Sequence, residues 1–156
     1  MILQAITTSS HNSELKETPA LMQIALSVQR DLEADTVTVH KASLVVNSRT
    51  TLFALTAKGH DKTMDGVNSS LFNKDPQRNQ AMISMLGGEV YCDKLVVTGK
   101  NSDWEEKQGV KYVCRAGIPP QMGEFDGYIS VGFREAPEDA TEIKTRLNLA
   151  STEMSK

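Results

Sequence analysis

Apolar residues recur along this chain with two periods, and the points where the period changes mark its elements. Leu21, Ile24, Ala25, Val28 and Leu32 fall at spacings of three and four, which puts them on one stripe of a helix. Thr18 can cap that helix and Pro19 suits its first turn, so the pattern predicts a helix that ends near Ala34. From Asp35 the period falls to two. Thr36-Val37-Thr38-Val39-His40 alternates, the apolar run 42–46 extends it, and residues 51–58 form a second β-rich segment across a turn at Asn47-Ser48-Arg49-Thr50. Residues 59–74 are polar and irregular, long enough for a lid or a mobile loop. Asp75-Pro76 then opens a short helix lined by Ala81, Met82, Met85 and Leu86, which Gly87-Gly88 stops.

Three further strands are expected at residues 89–98, 110–118 and 127–134. The first two are joined by a charged loop, 99–109, that holds the one tryptophan, Trp104, while Pro119-Pro120 closes the second. A last helix opens at Pro137 and carries Ala140, Ile143, Leu147, Ala150 and Met154 on one stripe. That stripe docks either on the sheet of its own domain, the preferred choice for so short a run, or on a partner copy. The order helix, strand, strand, helix, strand, strand, strand, helix gives an α+β class. Residues 1–17, rich in Ser, Thr and charge, read as a flexible leader or linker, and 18–156 as one domain.

Composition narrows the function classes. The chain has 156 residues, enough for one core that removes roughly 70% of the unfolded surface from water. Its 39% hydrophobic and 24% charged content is that of a folded protein and not of a disordered one. The net charge of -3 arises from 17 basic and 20 acidic residues mixed along the chain, so no basic field exists to attract nucleic acid. No apolar run approaches the ~20 residues of a membrane span.

The cysteines offer the most definite geometry. In a hairpin symmetric about Asp103, Cys92 faces Cys114, on the side that carries Val90, Val96, Tyr112 and Ala116. The other side pairs Asp93 with Val113, brings Arg115 and Lys111 within diagonal reach, and reads as the wetter one. Three fates stay open for the sulfurs. Buried reduced thiols are favoured, because free cysteine is among the most buried residue types. A disulfide would close a loop of about 20 residues, add around 3 kcal/mol, and require an oxidising compartment. A reactive or metal-bound thiol lacks any CxxC pattern.

Other candidate chemistry is sparse. His11 lies in the leader, His40 on a strand, and His60 in the polar segment Lys58-Gly59-His60-Asp61-Lys62; no set of four residues has metal-ligand spacing. Nucleophile elbows, phosphate loops and dinucleotide fingerprints do not occur. The carboxylate pairs Glu105-Glu106 and Glu138-Asp139 read as surface charge in a loop and at a helix start. No catalytic residue, cofactor or metal is therefore expected.

The predicted element order resembles the GAF/PAS family of sensor domains, and residues 24–40 are similar to the first helix and strand of GAF-like domains in tailed-phage proteins. A second likeness is to the soluble, periplasm-facing domain of the large holins of T-even phages. It is carried by Tyr112-Val113-Cys114, Ile118-Pro119-Pro120, the strand from Tyr128 to Phe133 and the helix from Pro137. The resemblance implies a five-stranded antiparallel sheet with the N- and C-terminal helices packed on it. It also implies a non-enzymatic sensory or regulatory domain that binds a small ligand or a protein partner, in the periplasm if the holin likeness holds. The expected site is the groove between the sheet and residues 59–74, with His40, His60, Trp104 and Arg115 as binding candidates. A homo-oligomer through the last helix is a further expectation. The alternative is a virion structural or assembly protein.

Overall fold

A computed structural model describes residues 14–156 of the chain. Expectations for residues 1–13, His11 and most of the leader among them, lie outside the described residues. Helix α1 spans Thr18–Leu32 and buries Leu21, Ala25 and Val28, the stripe the spacing predicts. Thr18 is its first residue and not its cap, and the helix stops where Glu33 turns left-handed at φ 52°. Strands β1 (Thr36–Ser43) and β2 (Ser48–Thr56) form the expected hairpin.

Residues 59–74 are more ordered than their sequence suggests. They contain two short strands, β3 (Gly59–His60) and β4 (Asn68–Ser70), both paired with β2, and a 3-10 turn at Lys62–Met64. Helix α2 (Pro76–Leu86) has the predicted cap: the Asp75 carboxylate accepts from the Arg78 N–H at 2.8 Å. Strand β5 covers only Tyr91–Lys94, not 89–98. The backbone leaves the sheet because the Ser102 hydroxyl accepts from the N–H groups of Thr98 (2.7 Å) and Gly99 (3.0 Å). These bonds start helix α3 (Lys100–Lys107) where a loop is expected.

Strands β6 (Tyr112–Ile118) and β7 (Gly127–Phe133) complete the sheet. Helix α4 runs Thr141–Met154, starting four residues beyond Pro137, where the Asp139 carboxylate takes the Thr141 N–H at 2.9 Å.

The strand order is β3-β2-β1-β7-β6-β5, every pair antiparallel, with β4 beside β2. Alternation along each strand gives the sheet two unlike faces. One face presents Val37, Val39, Phe53, Leu55, Cys114, Ala116, Ile129 and Val131 to α1 and α4, and Ile143, Leu147, Ala150 and Met154 of α4 are buried there within this domain. At ~25 cal/mol per Å2 of apolar surface removed from water, this layer supplies the main drive for folding. Residues 14–16 and 154–156 meet beside it: Lys16 N–H donates to the Met154 carbonyl (2.9 Å) and Lys156 N–H to that of Glu14 (2.7 Å).

The register sets Cys92 opposite Cys114, with Cα atoms 4.1 Å apart, and the two form a disulfide. This corrects the preference for free thiols: neighbouring strands aim both sulfurs into the same apolar layer, where they meet. The other face is covered by α2 and α3. The approach of α2 is close, since a Cβ on Gly117 would lie 3.2 Å from the Met85 carbonyl oxygen. Among the described residues no helix is long and apolar enough to cross a membrane.

Candidate functional site

The covered second face is polar. Thr38 and His40 on β1, Arg49 on β2, Arg115 on β6, and Tyr128 and Ser130 on β7 point away from the apolar core, as strand alternation requires, yet all except Arg115 are buried. Arg78 from α2, Thr98, and Asn101, Ser102 and Glu105 from α3 close over them around a cavity of ≈ 10 Å3, room for about one water molecule.

His40 stacks on the Tyr128 ring with centroids 4.4 Å apart. Its Nε2 meets the Thr38 hydroxyl at 2.8 Å and its Nδ1 the Thr51 hydroxyl at 3.2 Å. Burial holds its pKa well below the usual 6.5, and the charges of Arg49, Arg115 and Arg78 act in the same sense, so the ring is neutral. Arg49 donates to the Ser69 hydroxyl at 2.7 Å and to the Tyr128 hydroxyl, and its guanidinium also lies 5.8 Å from the Tyr128 ring centroid. Arg78 donates to the carbonyls of Leu71 (3.2 Å) and Ser70. Burial, with Arg49 nearby, pulls its pKa down to about 10. Glu105, only 4% exposed, is pushed up by burial against the opposing pull of Arg115 and Arg49.

Several of these groups are incomplete. Asn101 Nδ2, Glu105 Oε2 and Ser130 Oγ are buried without a hydrogen-bond partner. Among the described residues no carboxylate forms an ion pair with Arg49, Arg78 or Arg115. The cavity is thus rich in donors and positive charge. Both His40 nitrogens are engaged by threonine hydroxyls.

The structure brings His40 and Arg115 into this wall and leaves His60 and Trp104 out of it. His60 sits on β3 at the surface, 2.8 Å from the Asp65 carboxylate. Trp104 is not a surface contact in a loop but a buried wedge on α3, packed with Ala54 and Met64 and donating its indole N–H to Asp61 at 2.9 Å. No residue of 59–74, beside which the groove is expected, lines this cavity. Arg49, Arg78, Asn101 and Glu105 are cavity groups that the sequence does not single out, and Glu105 is no surface carboxylate. One signal for Glu105 is its place two residues after Asp103, one after Trp104 and four after Asn101, on the same helical face as Asn101.

A five-stranded antiparallel core ordered β2-β1-β7-β6-β5, with α1 and α4 on one face and a cavity under two connecting helices on the other, is a GAF-type fold. The far-red cyanobacteriochrome photoreceptor shares it with a TM-score of 0.61 at 10% identity, over 96% of this chain and 91% of that one. A phycoerythrobilin-bound GAF domain of a cyanobacterial phytochrome matches with a TM-score of 0.53 at 16% identity, over 86% of each chain. The GAF domain of a two-component sensor histidine kinase from Bacillus halodurans matches at 0.57 and 8% identity, over 85% of this chain and 91% of that one. No family model and no curated protein matches the sequence. At these identities the likeness establishes the fold.

Proposed function

We propose that this chain is a sensory or regulatory binding domain that takes a small ligand into the cavity between its sheet and helices α2 and α3, and performs no chemistry on it. The observation that supports this is the set of unpartnered buried groups, Asn101 Nδ2, Glu105 Oε2 and Ser130 Oγ, around one cavity. Each such group costs about 1–3 kcal/mol when left unsatisfied, a cost that a purely structural layer avoids with apolar residues and that a ligand can offset. GAF-type neighbours named as photoreceptors and as part of a sensor kinase agree with a sensory role.

A linear tetrapyrrole such as the phycoerythrobilin of one neighbour does not fit this site. Pockets for molecules of ordinary drug size occupy ~300–1,000 Å3, against ≈ 10 Å3 here. The wall is polar apart from the Tyr128 ring, and both cysteines are joined on the far side of the sheet, so no thiol reaches the cavity.

A thermal-shift screen of small polar compounds tests the proposal. At least one should raise the melting temperature of the native chain and fail to do so for Ser130→Leu, which fills the cavity, with circular dichroism confirming that the variant is folded. Ligands that stabilise both proteins equally would remove the cavity from the account.

The disulfide favours one finer reading, a domain that works in an oxidising compartment, as the holin likeness implies, and that meets a protein partner there. Because the apolar stripe of α4 is used inside the domain, a homo-oligomer through that helix would rest on its outer side, at Leu149. Alkylation of the unreduced protein followed by mass measurement decides the compartment question: no modified cysteine is expected, and two would exclude it.

A further inference from the structure

We infer that the ligand of this cavity is a compact anion, a carboxylate or a phosphate-type oxyanion, held by Arg115, Arg49 and Asn101 and taken up together with a proton on Glu105. This rests on the cavity being a ligand site, as proposed above.

Charge is the first argument. Three guanidinium groups from three elements converge on a space that contains one carboxylate, and the bonds of Arg49 and Arg78 go to hydroxyls and carbonyls, which satisfy their N–H groups without neutralising them. Arginines 49 and 78 are each only 5% exposed, so water screens them weakly. Arg115 has no side-chain hydrogen bond among the described residues. The nearest acid on the adjoining strand, Asp93, is occupied by the Gln77 amide (2.9 Å) and the Tyr91 hydroxyl (3.1 Å).

The sense of the free hydrogen bonds is the second argument. Asn101 Nδ2 is a donor with nothing to donate to, Ser130 Oγ can donate, and the guanidinium of Arg115 can only donate. A ligand that matches these groups is one made of acceptors. Planar or tetrahedral oxyanions have that character and form the short, charge-assisted bonds that guanidinium groups favour. The ≈ 10 Å3 space holds about one water, so even a compact oxyanion enters with a shift of the covering helices, and bulk beyond the anionic group demands a larger one.

Glu105 supplies the regulation. The titratable groups that face it across the cavity are His40 on β1, Arg49 on β2, Arg78 on α2, Arg115 on β6 and Tyr128 on β7. Burial disfavours its ionised form, and Arg115 and Arg49 are what restrain that tendency. An anion that takes over those two arginines removes the restraint and adds a like charge, so Glu105 takes up a proton as the ligand enters. Below the pKa of Glu105 the site is ready for an anion; above it the carboxylate competes as the internal counter-ion.

Calorimetric titration of the folded chain with acetate and with sulfate, neither of which titrates between pH 6 and 8, tests this at constant ionic strength, with acetamide as the neutral control. Saturable binding of at least one anion is expected, weakening with rising pH by up to about tenfold per unit, the limit for one linked proton. Arg115→Gln should weaken it at least tenfold, and Glu105→Gln should tighten it at pH 8 and abolish the pH dependence. Anion binding with no pH dependence in the native chain would overturn the role of Glu105. Binding of acetamide as tight as that of acetate, unchanged by Arg115→Gln, would overturn the anion assignment and leave the binding domain standing. If neither anion binds and the screen described above yields a neutral ligand blocked by Ser130→Leu, the anion assignment fails in the same way. If that screen is empty too, both readings fail together.

Discussion

His40 and Glu105 line the same cavity and are buried to nearly the same degree, yet burial moves their pKa values in opposite senses because the charged form is the acid of one and the base of the other. For His40 the unfolded chain binds a proton below about pH 6.5 that the folded chain refuses. Stability from this residue is therefore full above 6.5 and falls as the pH drops toward the lowered native value. For Glu105 the folded chain holds a proton that the unfolded chain loses above about pH 4.5. Its contribution is full below 4.5 and falls as the pH rises through the raised native pKa. Where the two ranges overlap, between about pH 4.5 and 6.5, the two contributions have opposite slopes. Urea denaturation as a function of pH should show the Glu105 contribution as a decline on the alkaline side of about pH 4.5. Glu105→Gln should abolish the alkaline decline and gain on the order of 1 kcal/mol at pH 8, because it leaves no charge to desolvate. A variant that follows the native profile at high pH would show that Glu105 is not the group responsible.

At the scale of elements, what the sequence reveals depends on which face of the sheet an element covers. Helices α1 and α4 pack on the apolar face, so their inward sides carry Leu, Ile, Val, Ala and Met at helical spacing and are legible. Helix α3 packs on the polar face. Its buried residues, Asn101, Ser102, Trp104 and Glu105, have helical spacing too, but only one of them is apolar, and a search for apolar periodicity passes over it. The same cause hides the site: Arg49 reads as a turn residue and Glu105 as surface charge, because nothing in the strand pattern announces that the polar face is covered. His40 and Arg115 are legible as site candidates because each lies on a strand at a position facing away from the apolar side. The Cys92–Cys114 register is legible from hairpin symmetry alone, since it depends on residue counts and not on whether the connection is loop or helix. If Trp104 is the one apolar anchor of α3, its loss should be costly. Trp104→Ala should destabilise the chain by roughly 3–5 kcal/mol in chemical denaturation, through lost packing on Ala54 and Met64 and the lost bond to Asp61. A loss below about 1 kcal/mol would mean that α3 is held by its polar contacts instead.

For the molecule as a whole, the two layers divide the labour. The apolar side, where α1 and α4 lie against the sheet and Leu15 pairs with Ser155, carries most of the buried hydrophobic area and should be the last part to open. On the polar side, α3 has eight residues and one large apolar anchor, and it closes a cavity that holds about one water. On the binding reading proposed above, a ligand larger than water enters only if the cover of the cavity shifts, and residues 98–109 are the part of that cover with the least apolar anchoring. Hydrogen exchange should therefore find the amides of α3 exchanging much faster than those of β1, β7 and α4 in the free protein. Saturating ligand should slow them at least tenfold, because it ties Asn101, Ser102 and Glu105 to Arg49, Arg115 and Ser130 across the cavity. On the sensory reading proposed above, β1 and β7 are strands that touch both the cavity and the apolar layer. His40 and Ser130 face the cavity, while Val39, Ile129 and Val131 on the same strands face α1 and α4. A smaller ligand-dependent change in α1 and α4 is the mark of a sensor. Protection confined to α3 would describe a domain that binds without transmitting.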